Sequence, residues 1–92
     1  MGYYIQGPQK GKGAYLERVY GAGWCSEETA RSALTHPTIV PVCVVDNGPF
    51  EAAALAYSEE EFECFANPED RRRKRWFLMD RAKAYELAGF KG

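Results

Sequence analysis

Histidine and cysteine are scarce in this chain of 92 residues, which has one His and three Cys. Cys25, Cys43 and Cys64 are odd in number and far apart, whereas disulfide frameworks use even sets and zinc sites use closely spaced pairs. We therefore expect free thiols, no metal site and no cofactor. Because Cys43 and Cys64 lie in apolar segments, we expect both to be buried as small hydrophobic residues.

Long apolar runs are also absent, since no stretch approaches the roughly 20 residues that a membrane span requires. The start, Met1 to Ile5, lacks the basic region and the apolar stretch of a secretory signal. The composition, 46% hydrophobic and 27% charged, matches that of ordinary soluble globular proteins. We expect one cytoplasmic domain over residues 1–92 that does not associate with membranes.

The sequence offers little for catalysis, which needs a base, a nucleophile or a metal held in register. The single imidazole, His36, stands before Pro37 at the expected end of a helix. The carboxylates of residues 59–63 lie in the first turn of a predicted helix, where they interact favourably with the helix dipole. We therefore expect no catalytic residues, and a small enzyme is the least favoured of the functions considered.

The middle of the chain carries the clearest structural signal. Residues 39–45 are an apolar, β-branched run, and residues 50–57 form a second extended segment. Asn47-Gly48 lies between them, and this dipeptide between apolar runs is a strong signal for a β-hairpin. Because every position of Val42–Val45 is apolar, we expect this strand to be central or covered on both faces.

The other segments complete a prediction of an α+β fold. A short strand is predicted near Tyr3 and another over residues 75–79, and Trp24 is expected to anchor the core. Helices are predicted over residues 14–20 and from the N-caps Ser26, Ser58 and Asp80. The expected architecture is a three- to four-stranded, mostly antiparallel sheet with a central 40–46/50–57 hairpin and helices chiefly on one face.

The main functional candidate is a run of five cations, called here the basic run. It comprises Arg71, Arg72, Arg73, Lys74 and Arg75. A run of like charges persists on a folded surface beside counter-charges or a partner. We rank pairing with the acidic residues of Glu59–Asp70 first, docking of an acidic protein surface second, and nucleic-acid binding third. The acidic pI of about 5.8 disfavours a dedicated nucleic-acid binder.

A second, weaker candidate is the glycine-rich loop of residues 7–13, which precedes a predicted helix. Lys10, Gly11 and Lys12 could bind an anion there through backbone amides and positive charge. The loop does not match the phosphate-binding P-loop, because Gly13 stands where that motif needs Ser or Thr. A plain flexible connection is the favoured interpretation.

Four segments within residues 42–90 are similar to segments of a known group of proteins. They are Val44–Phe50, Ala52-Ala53, Glu61–Phe65 and Arg75–Asp80. In these segments the chain resembles small uncharacterised bacterial proteins associated with phages and integrated mobile elements. The resemblance implies a prokaryotic, cytoplasmic setting and roles such as blocking a host defence system or regulating the element. It assigns no function to any individual residue.

Together these patterns favour a non-catalytic interaction protein that binds a protein partner. That partner could be a host component, or a second copy of the chain paired through an open sheet edge. The alternative is a nucleic-acid-binding regulator that uses the basic run.

Overall fold

The structure is a computed structural model that describes residues 3–91. Met1, Gly2 and Gly92 lie outside the described residues. The expectation that the start of the chain is not a secretory signal depends in part on Met1 and Gly2. A 3-10 turn, Ala33–Thr35, follows the second helix. The other elements are β1 (Tyr3–Tyr4), α1 (Lys12–Tyr20), β2 (Gly23–Cys25), α2 (Glu27–Ser32), β3 (Ile39–Asp46), β4 (Glu51–Leu55), α3 (Glu59–Ala66), β5 (Arg73–Asp80) and α4 (Arg81–Ala88).

The strands form one antiparallel sheet in the order β1-β4-β3-β5-β2. This confirms the α+β class and the antiparallel pairing, but the sheet has five strands where three to four were predicted. The additional strand is β2, in which Trp24 pairs with Phe77 of β5. With three residues, β2 is too short to show the alternation that identifies a strand in sequence. Its strand conformation depends on its neighbour β5.

Helices cover both faces of the sheet, which corrects the expectation that they lie chiefly on one face. On the first face, Leu16 of α1 and Ala84 of α4 pack in the main core cluster. On the second, Ala30 of α2 and Phe62 of α3 pack in a smaller cluster. Successive β3 residues alternate between the two clusters, so all of Val42–Val45 is buried as expected for a strand covered on both sides.

The predicted hairpin is confirmed as β3 and β4, with Asp46 opposite Glu51. Strand β4 ends at Leu55 and is shorter than the predicted segment. The connection is longer than Asn47-Gly48 alone, because it comprises residues 47–50 and is closed by a 2.9 Å hydrogen bond from Asn47 N to Phe50 O. Gly48 has a φ of +90°, a backbone conformation that favours glycine.

The predicted N-caps of α2, α3 and α4 are confirmed by their hydrogen bonds, whereas α1 begins at Lys12, two residues before its predicted start. The side chains of Ser26, Ser58 and Asp80 each accept a bond from a backbone amide three residues on, at 3.0–3.1 Å. Gly89 follows α4 with a φ of +69°, and Phe90 N donates to Tyr85 O. This is the glycine-terminated ending common in α-helices.

The two edges of the sheet differ. At one edge, β1 pairs with Ala54 and Leu55 of β4, and the loop that follows β1 covers the start of β4, since Glu51 N donates to Gln9 O at 2.7 Å. The opposite edge strand, β2, covers only the middle of β5. Of the helices in residues 3–91, none is long and apolar enough to cross a membrane.

Candidate functional site

The basic run lies where the chain enters β5. Arg73–Arg75 are the first three residues of the strand, which corrects the predicted strand over residues 75–79. Because successive strand residues face opposite sides of a sheet, the run is divided between the two faces. Arg75 pairs with Val44 on the α1/α4 face, and Lys74 pairs with Val45 on the α2/α3 face.

Strand β5 is unpaired on one side along this basic segment. It pairs with β3 from Arg73 to Asp80, but β2 pairs only with residues 76–78. Arg73–Arg75, called here the open edge, thus has no second strand neighbour among residues 3–91. Alternate residues of an antiparallel strand direct their N–H and C=O groups to the same side. At least one residue of the open edge therefore presents both groups to this vacant side.

Three of the five cations are paired within the fold. Asp70 accepts from Arg72 at 2.7 Å and from Lys74 at 3.0 Å. The hydrogen bonds from the Arg72 side chain and backbone, followed by the one from Lys74, hold the pKa of Asp70 well below its usual range. Glu51 accepts from Arg75 at 2.7 Å. Asp70 and Glu51 thus supply two carboxylates for three cations.

Pairing with the acidic segment 59–70 is therefore confirmed for Asp70 but not for its glutamates. Glu59 and Glu63 of α3 instead contact Arg31 of α2, the former at 3.1 Å. Within the described part of the chain, Arg71 and Arg73 make no salt bridge, and both side chains are exposed. These two cations are the part of the basic run that the fold leaves free for a partner.

Trp24 is a candidate functional residue that sequence reasoning missed. We expected it in the core, but it is 71% exposed on the edge strand β2. The aromatic residues that follow the basic run are buried instead, with Trp76 stacked on Phe62 at 4.2 Å between ring centroids and Phe77 in the main core. The sequence did carry one signal of this exposure. Trp24 lies between Gly23 and the helix N-cap Ser26, so the segment is too short to form a regular element that would hold its side chain in the core.

Concave surface surrounds Trp24 and reaches the basic run. A cavity of about 360 Å³ is lined by aromatic and aliphatic atoms of Trp24, Phe65 and Trp76 together with the cations Arg72 and Lys74. A second cavity, of about 290 Å³, lies on the α1 side between Trp24, Glu17 and Arg75. We call the first cavity the edge groove. Its lining combines the apolar side chains with cations and with the carboxylates of Glu27 and Asp70.

The glycine-rich loop already holds an anion that belongs to the chain. The amide of Gly13, in the first turn of α1, donates to the Glu51 carboxylate at 3.0 Å, and Arg75 shares the same oxygen. The ammonium of Lys12 is buried and donates to Ile5 O at 3.1 Å. Lys10 and Gly11 remain exposed. External anion binding by Lys10, Gly11 and Lys12 stays a prediction, and Glu51 would compete with any such anion.

The remaining reactive side chains have structural settings. His36 Nδ1 accepts from the backbone amides of Thr38 and Ile39. Cys43 is buried as predicted, and burial raises its pKa to about 12, whereas Cys64 is exposed and not buried as we expected. Cys64 lies on the outward side of α3, because Phe62 and Phe65 take the inner one. Residues 3–91 hold no cluster of three metal-ligating side chains.

No protein-family model, curated protein or solved structure matches this chain at a significant level.

Proposed function

We propose that this chain is a cytoplasmic, non-catalytic binding protein that docks an acidic surface of a protein partner against the basic run. The observation that carries the proposal is the exposure of Arg71 and Arg73 without carboxylate partners in residues 3–91. The exposed Trp24 lines a cavity with Arg72, Lys74 and Arg75 of the same run. Protein interfaces are enriched in Arg and Trp, which anchor them from well-packed central positions.

Electrostatics supports this partner chemistry. Two carboxylates pair with three of the five cations, so the surface keeps an excess of positive charge in a chain whose net charge is −1. An acidic partner surface would relieve the repulsion within the run and accelerate encounter. Arg71 and Arg73 are free to contribute without breaking an existing ion pair, whereas recruiting Arg72, Lys74 or Arg75 requires competition with Asp70 or Glu51.

The settings of the candidate catalytic groups support a binding function over an enzymatic one. His36 Nδ1 is engaged by two backbone amides. Burial raises the pKa values of Cys25 and Cys43, which disfavours the thiolate that nucleophilic catalysis needs. Asp80 and Ser26 cap helices.

A co-purification experiment with three baits tests the proposal. The baits are the wild-type chain, the double variant Arg71→Glu/Arg73→Glu, and a control, Arg18→Glu/Lys91→Glu, that changes the net charge equally at other exposed sites. From an extract of the native host, the wild type and the control should retain the same partner, and the first double variant should lose it. Retention of the partner by all three baits would contradict docking at the basic run.

Nucleic-acid binding is the second candidate, and the exposure of Trp24 is the observation that favours it. Proteins that bind single strands combine cations with aromatic side chains on which bases stack. Trp24 and Arg75 border one cavity and could provide both. If this is the function, Arg71→Gln/Arg73→Gln should flatten the dependence of log K on log salt by about 2 units on duplex DNA. Sub-micromolar affinity for oligonucleotides that survives about 150 mM salt would rank this function first, because non-specific contacts alone are typically weaker there.

The resemblance of residues 42–90 to phage-associated proteins adds a proposal about the biological role. The partner would be a component of a host defence system, and the chain would inhibit that component by occupying its acidic surface. Expression of the wild type, but not of Arg71→Glu/Arg73→Glu, should then relieve the restriction of phage growth in a defended host. Equal phage growth with and without the wild-type chain would contradict this role.

A further inference from the structure

We infer that the partner contributes an extended, acidic peptide segment that pairs with the open edge as an additional strand. This inference rests on the proposed function and specifies what the basic run recognises. Peptides bind exposed sheet edges in this way when main-chain hydrogen bonds supply affinity and flanking side chains supply specificity. The open edge satisfies the first condition, because β2 stops opposite Trp76 while β5 continues back to Arg73.

The charges select an acidic strand. Side chains of an added strand lie beside those of β5 on both faces of the sheet. Arg73 and Arg75 project on one face and Lys74 on the other, so acidic residues at alternate positions of the peptide meet cations. Two carboxylates line the edge groove: Asp70 is already paired with Arg72 and Lys74, whereas Glu27, two residues after β2, makes no salt bridge within residues 3–91. The acidic residues should therefore align with the Arg71–Arg73 end.

The edge groove accommodates the other side chains of such a peptide. Its lining includes the apolar side chains of Phe65, Ala66 and Trp76, the last of which belongs to β5. Residues that alternate with the acidic ones can place apolar side chains there, as strand geometry requires a period of two. A segment of alternating acidic and β-branched residues fits both the charges and the shape.

A second copy of this chain is a less suitable occupant of the same edge. Antiparallel pairing of β5 with its own copy through the open edge would place Arg73–Arg75 against Arg73–Arg75. Like charges directly opposite each other destabilise a strand pair. The short strand β2 adds only three residues of edge, Gly23–Cys25, to such a contact. Charge therefore favours an acidic peptide over self-association at this site.

The probe that tests the inference is a fluorescein-labelled, end-capped octapeptide of alternating Asp and Val, with binding measured by fluorescence anisotropy. Two derivatives carry N-methyl groups on all Val or on all Asp amides, which removes alternate donors without changing the charge. If the peptide adds as a strand, at least one derivative should lose about tenfold or more in affinity, because one alternate set of amides faces β5. A Lys-Val peptide of the same length should not bind.

Protein variants provide matched changes in the site. Arg71→Glu/Arg73→Glu should weaken binding of the Asp-Val peptide about tenfold or more, whereas Arg18→Glu/Lys91→Glu should change it little. Asp70→Asn should strengthen binding by about twofold or more, because it releases Arg72 and Lys74 from an internal carboxylate. The amide oxygen of the new side chain can still accept from Arg72 N, as Asp70 does at 3.1 Å.

Several results would overturn the inference, and they are distinguishable from failure of the proposed function. Equal affinity of both N-methylated peptides and the parent would exclude strand addition. If the parent peptide does not bind but co-purification still depends on Arg71 and Arg73, the inference of strand addition fails. The proposed function then stands, with a protein partner that binds the basic run in another way. A labelled oligothymidylate that binds more tightly than the peptide at about 150 mM salt would assign the edge to nucleic acid instead.

Discussion

At the scale of single residues, the two tryptophans show how position in the fold decides the role of a side chain. Trp76 is 5% exposed and stacks on Phe62, whereas Trp24 is 71% exposed on an edge strand. We predicted that Trp24 would anchor the core, because large aromatics dominate buried surface. Only the pairing of β2 with β5 reveals that Trp24 faces solvent next to the basic run.

The two tryptophans should respond differently to truncation. Trp76→Ala removes a buried ring and should lower the free energy of unfolding by about 3–5 kcal/mol. Trp24→Ala removes exposed surface and should change it by less than about 0.5 kcal/mol, while weakening partner binding. Urea denaturation of both variants measures the difference. A loss for Trp24→Ala as large as that for Trp76→Ala would contradict its exposed placement.

Asp70 should remain ionised at unusually low pH. Hydrogen bonds from Arg72 and Lys74 lower its folded-state pKa, so the pairing contributes stability above the ordinary Asp value of about 3.9. That contribution is lost as the pH falls through the lower folded-state pKa. NMR titration of the Asp70 carboxyl should show the ionised form persisting at about pH 3, and Arg72→Ala should move its pKa upward. Titration near the ordinary value in the wild type would contradict the pairing.

At the scale of elements, local chemistry predicted most of the fold. Side-chain N-caps at Ser26, Ser58 and Asp80 and the Asn47-Gly48 turn depend on neighbours in sequence, and the structure confirms each. Strand β2 could not be predicted, because its pairing with β5 joins residues about fifty positions apart. The second helical layer could have been inferred from the uninterrupted apolar run of β3.

Gly48 provides a test of the hairpin. Its φ is +90°, and a Cβ added there would have no heavy atom within 4 Å, so a side chain meets backbone strain and not a steric clash. Gly48→Val should therefore lower the free energy of unfolding by more than about 1 kcal/mol. Gly23→Val is the matched control, because Gly23 also has open space and lacks a positive φ. Equal stability of the two variants in urea would contradict the turn geometry.

At the scale of the whole molecule, the sequence located the functional candidate but not its geometry. Five consecutive cations were evident at residues 71–75, and the structure places their strand at an incompletely covered sheet edge. The role of Glu51 as a counter-charge to Arg75 could not be predicted, because the two residues are 24 positions apart and are brought together through β3. Trp24, which lines the edge groove together with Arg72 and Lys74, lies about fifty positions earlier in the chain.

The proposed docking surface is tested most directly by hydrogen exchange, in the free chain and in the complex purified with its partner. In the free chain, the outward-facing amides of Arg73–Arg75 should exchange faster than those of residues 76–78, because β2 pairs with residues 76–78 and not with the open edge. In the complex, protection should appear at residues 71–75 and in β2. Protection confined to another surface, with unchanged exchange at residues 71–75, would contradict docking at the basic run.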